Sequence, residues 1–167
     1  MVISLTDRES DPHPELGALS DILQQHRDAC LSASEADEQV YTRYVEATRL
    51  PKSSDEEKAA RRHAMQDALV HAANTPLGLA WTSLDLLDQL RSVIESGSTH
   101  VLSDADIAAT LAHTSVTTAL VNVRVNIAMI KDAEVSQSLT KATADIEIRS
   151  AVLLAQCREL LHQRRSA

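Results

Sequence analysis

The sequence predicts an all-α fold, a bundle of about five helical segments with one helix kinked at a proline. Three observations carry that expectation. Apolar residues recur at helical steps of three and four along nearly the whole chain. Only three glycines (Gly17, Gly78, Gly97) and four prolines punctuate 167 residues, which leaves room for long helices. No stretch alternates apolar and polar residues in the manner of a half-buried strand. The length suits one domain that removes roughly two thirds of its unfolded surface from water. With no Phe, one Trp and two Tyr, the core must be built from Leu, Ile, Val and Ala.

Residues 1–14 are polar, contain Pro12 and Pro14, and read as a flexible arm ahead of a single domain at 15–167. The first helix runs from Glu15 to about Thr48 on the stripe Leu16, Leu19, Leu23, His26, Cys30, Ala33, Asp37, Tyr41 and Tyr44. Pro51 ends it by disfavouring helical geometry at Leu50. Ser53 or Ser54 caps the next helix, and Asp55, Glu56 and Glu57 suit its positive end. Pro76 is expected to kink or break that helix, which resumes through Leu77, Trp81, Leu84, Leu87, Leu90, Val93 and Ile94. After the turn Gly97–His100, Ser103 reads as the cap of a helix from Asp104 to about Ile130. That helix is apolar around much of its circumference and is expected to be the central one. The final helix spans Val135 to Gln163, with Arg158, Arg164 and Arg165 at its negative end.

A formal charge of −8 argues against binding nucleic acid or an anionic membrane, both of which call for a basic surface. The charge-poor run from Ile107 to Ile130 contains Asn122, Arg124 and Asn126 and is no membrane span. Asp7, Arg8, Glu9 and Asp11 interrupt any leader-like apolar run, so the cytoplasm is the expected compartment. Cys30 and Cys157 are far apart and read as buried thiols. The seven histidines show no metal-site spacing, and no metal or resident cofactor is expected.

Asp37 is the sharpest candidate for chemistry. A carboxylate on an apolar seam costs several kcal/mol unless paired or protonated, and burial drives its pKa toward working pH. It is therefore a candidate general acid or base, against the alternative of an Asp held by tyrosine or backbone. Asn122 and Asn126 share a helix face that Thr118 and Ser115 continue. That face can wall a ligand pocket or bond between helices. Arg124, on another face, reads as an ion-pair partner.

Several pieces occur in a telling order: Leu50-Pro51-Lys52 with Asp55-Glu56-Glu57-Lys58-Ala59-Ala60-Arg61, Ala72 to Pro76-Leu77, Ser103-Asp104-Ala105-Asp106, and Asn122-Val123-Arg124-Val125-Asn126. From about Ala36 to Ile130 the chain resembles the cyclodeaminase/methenyltetrahydrofolate cyclohydrolase family, whose patterns are LPK-x-x-DEEK-x-AR, A-x-x-x-PL, SDAGVA and NV-x-x-N. The resemblance implies an all-helical homodimer or larger oligomer acting on a one-carbon unit carried by a tetrahydrofolate derivative. It also implies catalysis by Asp37, since Asp37-Glu38-Gln39-Val40-Tyr41 matches a D-x-x-x-F pattern with Tyr41 in place of Phe. Tyr41, Ser103, Asp104, Asn122 and Asn126 become candidate substrate-binding residues, although Ser103 and Asp104 also suit helix capping. The family opens with a Pro-Gly-Gly-Gly segment that these residues do not repeat, so the expected pocket is either completed by a second copy or reshaped. Three readings stay open on the sequence: a folate enzyme, an enzyme redirected to cyclisation or dehydration of a specialised metabolite, and a non-catalytic helical interaction protein.

Overall fold

The structure, a computed structural model, describes Ile3 and residues 14–166, except for the side chains of residues 14–16, 34, 35 and 37. The expected flexible arm at 1–14 thus lies almost wholly outside the described residues; Ile3 is buried in an apolar cluster that also holds Leu19 and Leu90. Among the described residues four long helices make up the fold: α1 (Pro14–Arg49), α2 (Asp55–Ser96), α3 (Leu102–Ile127) and α4 (Ala133–Ser166). A 3-10 turn, Thr99–Val101, leads into α3. No strand occurs among the described residues.

The all-α bundle is as the sequence predicts, with four helices in place of about five segments. The difference lies at Pro76, where α2 runs through as one helix of 42 residues. Ala73, Pro76, Leu77 and Ala80 are all buried against neighbouring helices, and that burial holds the two halves together. Its start follows expectation. Ser54 Oγ accepts from Glu57 N at 3.2 Å while Glu57 Oε2 accepts from Ser54 N at 3.2 Å, a reciprocal capping box.

The end of α2 is less conventional. Gly97 sits in extended geometry and makes no left-handed cap, so carbonyls of the last turn need another donor. Arg164 of α4 supplies it. Its guanidinium donates to Ile94 O at 2.9 Å, to Gly97 O at 2.8 Å and also to Glu95 O. The sequence places Arg164 at the end of its own helix, whereas the fold spends it on the end of another.

α2, not α3, is the central helix: it packs against α1, α3 and α4. α3 packs on α2 and α4, and no element among the described residues covers Ile107, Leu111, Val121 and Val125, which stay more than half exposed. Its alanines at 105, 109, 112 and 119 face inward and allow close approach to α2. Two apolar clusters fill the α2–α3–α4 interior. One gathers Leu87, Leu90 and Ile94 with Leu102, Ala109, Leu154 and Leu161. The other gathers Leu69, Leu77 and Leu84 with Val116, Leu120, Val123 and Ile146.

Between them lies a polar layer. Ser83 bonds Ser115 at 2.8 Å, and His113 Nδ1 bonds the fully buried Ser150 at 2.7 Å. These bonds offset the cost of burying hydroxyls in an otherwise apolar seam. Ser103 is not the cap of α3. The 3-10 turn, begun by Ser98 accepting from His100 N, makes the chain helical by Leu102 and leaves Ser103 inside the first turn. Cys157 is fully buried, and desolvation raises its thiol pKa, whereas Cys30 is only half-buried.

Candidate functional site: the groove between α1 and α3

α1 leans on α2 and stands off from α3, leaving a groove with α2 as its floor. Two cavities lie along it. The first, about 280 Å³, is lined by Cys30 and Ala33 of α1, Pro76 and Leu79 of α2, and Thr118 and Asn122 of α3. The second, about 300 Å³, is lined by Val40, Tyr41 and Tyr44 of α1, Ala72 of α2, and Asn122, Asn126 and Met129. Asn122 belongs to both, so the cavities are neighbours in one groove. Joined, they offer the volume that a drug-sized organic ligand fills.

The groove therefore brings together three of the expected site residues, Tyr41, Asn122 and Asn126. Asp37 lies on α1 one turn from Ala33 and one turn from Tyr41, on the helix segment between the parts that line the two cavities. Its side chain is outside the described residues. Among described side chains no carboxylate is buried. Tyr41 is 70% exposed, so the α1 stripe turns away from it toward Val40, Tyr44 and the buried Ala47.

Ser103 and Asp104 are not brought to these residues. Nineteen residues separate Ser103 from Asn122 on α3, about 28 Å of helix rise. Next to them Asp106 pairs with Arg165 at 3.2 Å across to α4. Arg124 is the ion-pair partner that its separate face implies, 2.6 Å from Glu147.

The described lining contains no Asp, Glu, Lys, Arg or His; its polar groups are amides, hydroxyls and the Cys30 thiol. Thr118 Oγ1 is already bonded to Thr114 O at 2.8 Å. The Asn126 amide donates to Ala72 O at 2.8 Å and to Asn122 O at 3.0 Å. Gln66 ties down the turn that follows α3. It donates to Met129 O at 3.2 Å and accepts from Lys131 N at 2.7 Å, fixing the backbone at the groove's end. Sequence reasoning overlooks Cys30, Ala33, Val40, Thr75 and Met129 as lining. Ala33 and Cys30 are on the α1 stripe, but only the α1–α3 gap turns a packing face into a wall.

Further toward the N-terminus along the same α1 stripe, His26 Nε2 lies 3.0 Å from Asp85 Oδ2 of α2, close enough to pair but poorly aligned for a hydrogen bond. Among the described residues no group of three His, Cys, Asp or Glu is disposed to hold a metal ion. No described helix is long and apolar enough to cross a membrane.

Comparison with known proteins gives consistent matches. A family model described as Formiminotransferase-cyclodeaminase matches residues 1–145. Formimidoyltransferase-cyclodeaminase of Gallus gallus is 32% identical over 137 residues, which cover 80% of this chain and 25% of that protein. Methenyltetrahydrofolate cyclohydrolase of Methylorubrum extorquens is 36% identical over 92 residues, 55% of this chain and 44% of that protein. The chain thus spans less than half the length of these curated relatives. The crystal structure of formiminotetrahydrofolate cyclodeaminase from Thermotoga maritima superposes with a TM-score of 0.84 at 22% identity. That match covers 98% of this chain and 79% of the other, a likeness of fold.

Proposed function

The chain belongs to the formiminotransferase-cyclodeaminase family, and on that premise we propose that the α1–α3 groove binds a tetrahydrofolate derivative carrying a one-carbon unit, with Asp37 moving the protons. The observation that carries the reading is the joining of two cavities at Asn122, with position 37 on the α1 segment between their walls. The amides and apolar side chains of the described lining suit a planar nitrogen heterocycle, which needs hydrogen-bond partners and apolar cover. The names of the relatives support the substrate class: one is a cyclodeaminase and one a methenyltetrahydrofolate cyclohydrolase.

The chemistry asks for one proton shuttle. In ring closure, a folate amine attacks the formimino carbon, loses its proton to a base, and ammonia leaves with a proton from the acid. In ring opening, water adds to the methenyl carbon as a base takes one of its protons; one carbon–nitrogen bond then breaks as its nitrogen is protonated, and release of the remaining hydroxyl proton leaves the formyl group. A single carboxylate can serve either sequence, since it regains in one step the proton it gives in the other. Asn122 and Asn126 orient the heterocycle, and Tyr41, one helical turn from Asp37, supports the acid.

The active form is a homodimer. Ile107, Leu111, Val121 and Val125, exposed along one face of α3 with Val125 also at the second cavity, support this, because exposed apolar side chains gathered on one face mark interaction surfaces. Ser103 and Asp104 then contribute to binding from a second copy, since about 28 Å of helix separates Ser103 from Asn122 within one chain. The test is turnover of methenyltetrahydrofolate and ammonia release from formiminotetrahydrofolate, with Asp37→Asn as the comparison.

A further inference from the structure

Pro76 and Asn126 stand on different helices, and their meeting has a backbone cause. A residue at position 76 would ordinarily donate its N–H to the carbonyl of Ala72, four residues earlier. Proline has no N–H, so Ala72 loses its helical donor. A carbonyl inside a helix–helix contact needs a replacement partner. Asn126 Nδ2 provides it from α3 at 2.8 Å, and the same amide nitrogen lies 3.0 Å from Asn122 O.

Both neighbours are carbonyl oxygens, which only accept. The NH₂ end of the Asn126 amide must therefore face them, and with both N–H groups engaged the one polar atom left is Oδ1. Ala72, Asn122 and Asn126 all line the second cavity, while Pro76 lines the first. We infer that Pro76 is a positioning residue: by vacating the Ala72 carbonyl it locks the Asn126 amide so that the groove offers an acceptor, and the ligand must bring an N–H donor to it. This rests on reading the groove as the substrate site. It identifies the ligand edge at Asn126 as an N–H of a reduced heterocycle or amidine, and it disfavours a carbonyl or carboxylate edge there.

The arrangement makes an unusual pair of expectations. Proline in a helix interior is destabilising, so Pro76→Ala should raise Tm. The same change should impair substrate binding, because the new N–H at position 76 supplies Ala72 and frees the amide to turn. A merely structural proline would give the first effect without the second.

The test combines a thermal cycle with kinetics on wild type, Pro76→Ala, Asn126→Ala and the double variant. In the thermal cycle, which needs no substrate, Asn126→Ala is expected to lower Tm in the wild-type background and by about half as much or less in Pro76→Ala. Equal losses in the two backgrounds overturn the inference. With methenyltetrahydrofolate as substrate, Pro76→Ala is expected to raise KM by about tenfold, the scale of one hydrogen bond, with a smaller change in kcat. Adding Asn126→Ala should then cost little more. An unchanged KM in Pro76→Ala, or losses that simply add, overturn it as well; additive losses would be those of a missing proline ring in the first cavity. A wild-type protein that neither turns over nor binds folates defeats the functional reading instead, and the thermal cycle alone then upholds or overturns the fixed amide.

Discussion

Replacing Arg164 with alanine removes the donors that close the C-terminal end of α2. Three carbonyls, of Ile94, Glu95 and Gly97, lose their partner at once. A hydrogen bond to a charged group contributes about 1.5–3 kcal/mol net, and a cation at a helix C-terminus adds roughly 0.3–1 kcal/mol. The three bonds share one guanidinium, two are part-buried and one is exposed, so water recovers much of the loss and the terms do not add. A total near 2–3 kcal/mol follows. For a chain of this size each kcal/mol moves Tm by about 2–4 °C, so the expected drop is about 4–12 °C. Arg164→Lys should recover less than half, because one ammonium cannot fork across three carbonyls. Thermal unfolding followed by circular dichroism reads the shift directly. A drop below about 1 °C for Arg164→Ala would refute the reasoning, since it would leave the end of α2 indifferent to the guanidinium that reaches three of its carbonyls.

Three further expectations follow from the fold and the groove. Under native conditions a maleimide should label Cys30 and spare Cys157, whose thiol is fully buried and has its pKa raised by desolvation; bound folate should slow the labelling of Cys30. Mass spectrometry of the labelled peptides decides it, and labelling of Cys157 at a rate equal to Cys30 would contradict the core. Hydrogen bonds from its own backbone N–H and from Ser54 hold Glu56 below the usual carboxylate pKa, so its folded value lies under its unfolded one. Its contribution is therefore complete above the ordinary carboxylate range and fades as pH falls through the depressed folded value. Acid unfolding of Glu56→Gln should show a weaker pH dependence in that window, and identical profiles would contradict this. Light scattering should report a dimer, and Leu111→Glu with Val121→Glu should shift it to monomer; a wild-type monomer at micromolar concentration would remove the α3 stripe as an interface.

Much of this architecture is legible in the residues because helices declare themselves locally. The Ser54–Glu57 capping box, the Pro51 stop and the heptad-like apolar spacing of α2 and α4 need no tertiary information. What escapes is pairing between helices. Thr143 and Ser150 sit on the buried face of α4 at the same steps as Leu139, Ile146 and Leu154, yet their polarity hides them from an apolar stripe. Thr143 bonds back to Leu139 O within α4, whereas Ser150 finds His113 on α3, a partner that cannot be named from α4 alone. The centre of the bundle is misplaced for a related reason. α3 is the more apolar helix, but part of that apolarity is Ile107, Leu111, Val121 and Val125 facing outward, whereas α2 mixes charge with a buried face and touches every other helix.

The site divides in the same way. The 3.6-residue period places Asn122 and Asn126 on one face of α3, and they line one groove with Tyr41. Ser103 and Asp104 precede them in the motif pattern but do not join them in space, because one continuous helix carries the distance between them. The bond from Asn126 to Ala72 could be anticipated only by knowing that Pro76 leaves that carbonyl open and that α3 passes over it.

The central claim is that Asp37 is the proton carrier in a folate-binding groove, and one comparison tests it most directly. Wild type and Asp37→Asn are assayed side by side for loss of methenyltetrahydrofolate absorbance and for ammonia release from formiminotetrahydrofolate, with folate-induced thermal stabilisation measured on both. The account predicts that wild type turns over at least one of the two substrates, and that Asp37→Asn lowers kcat by about 10²–10⁴-fold while its folding and folate stabilisation persist. An Asp37→Asn protein with wild-type kcat would contradict it.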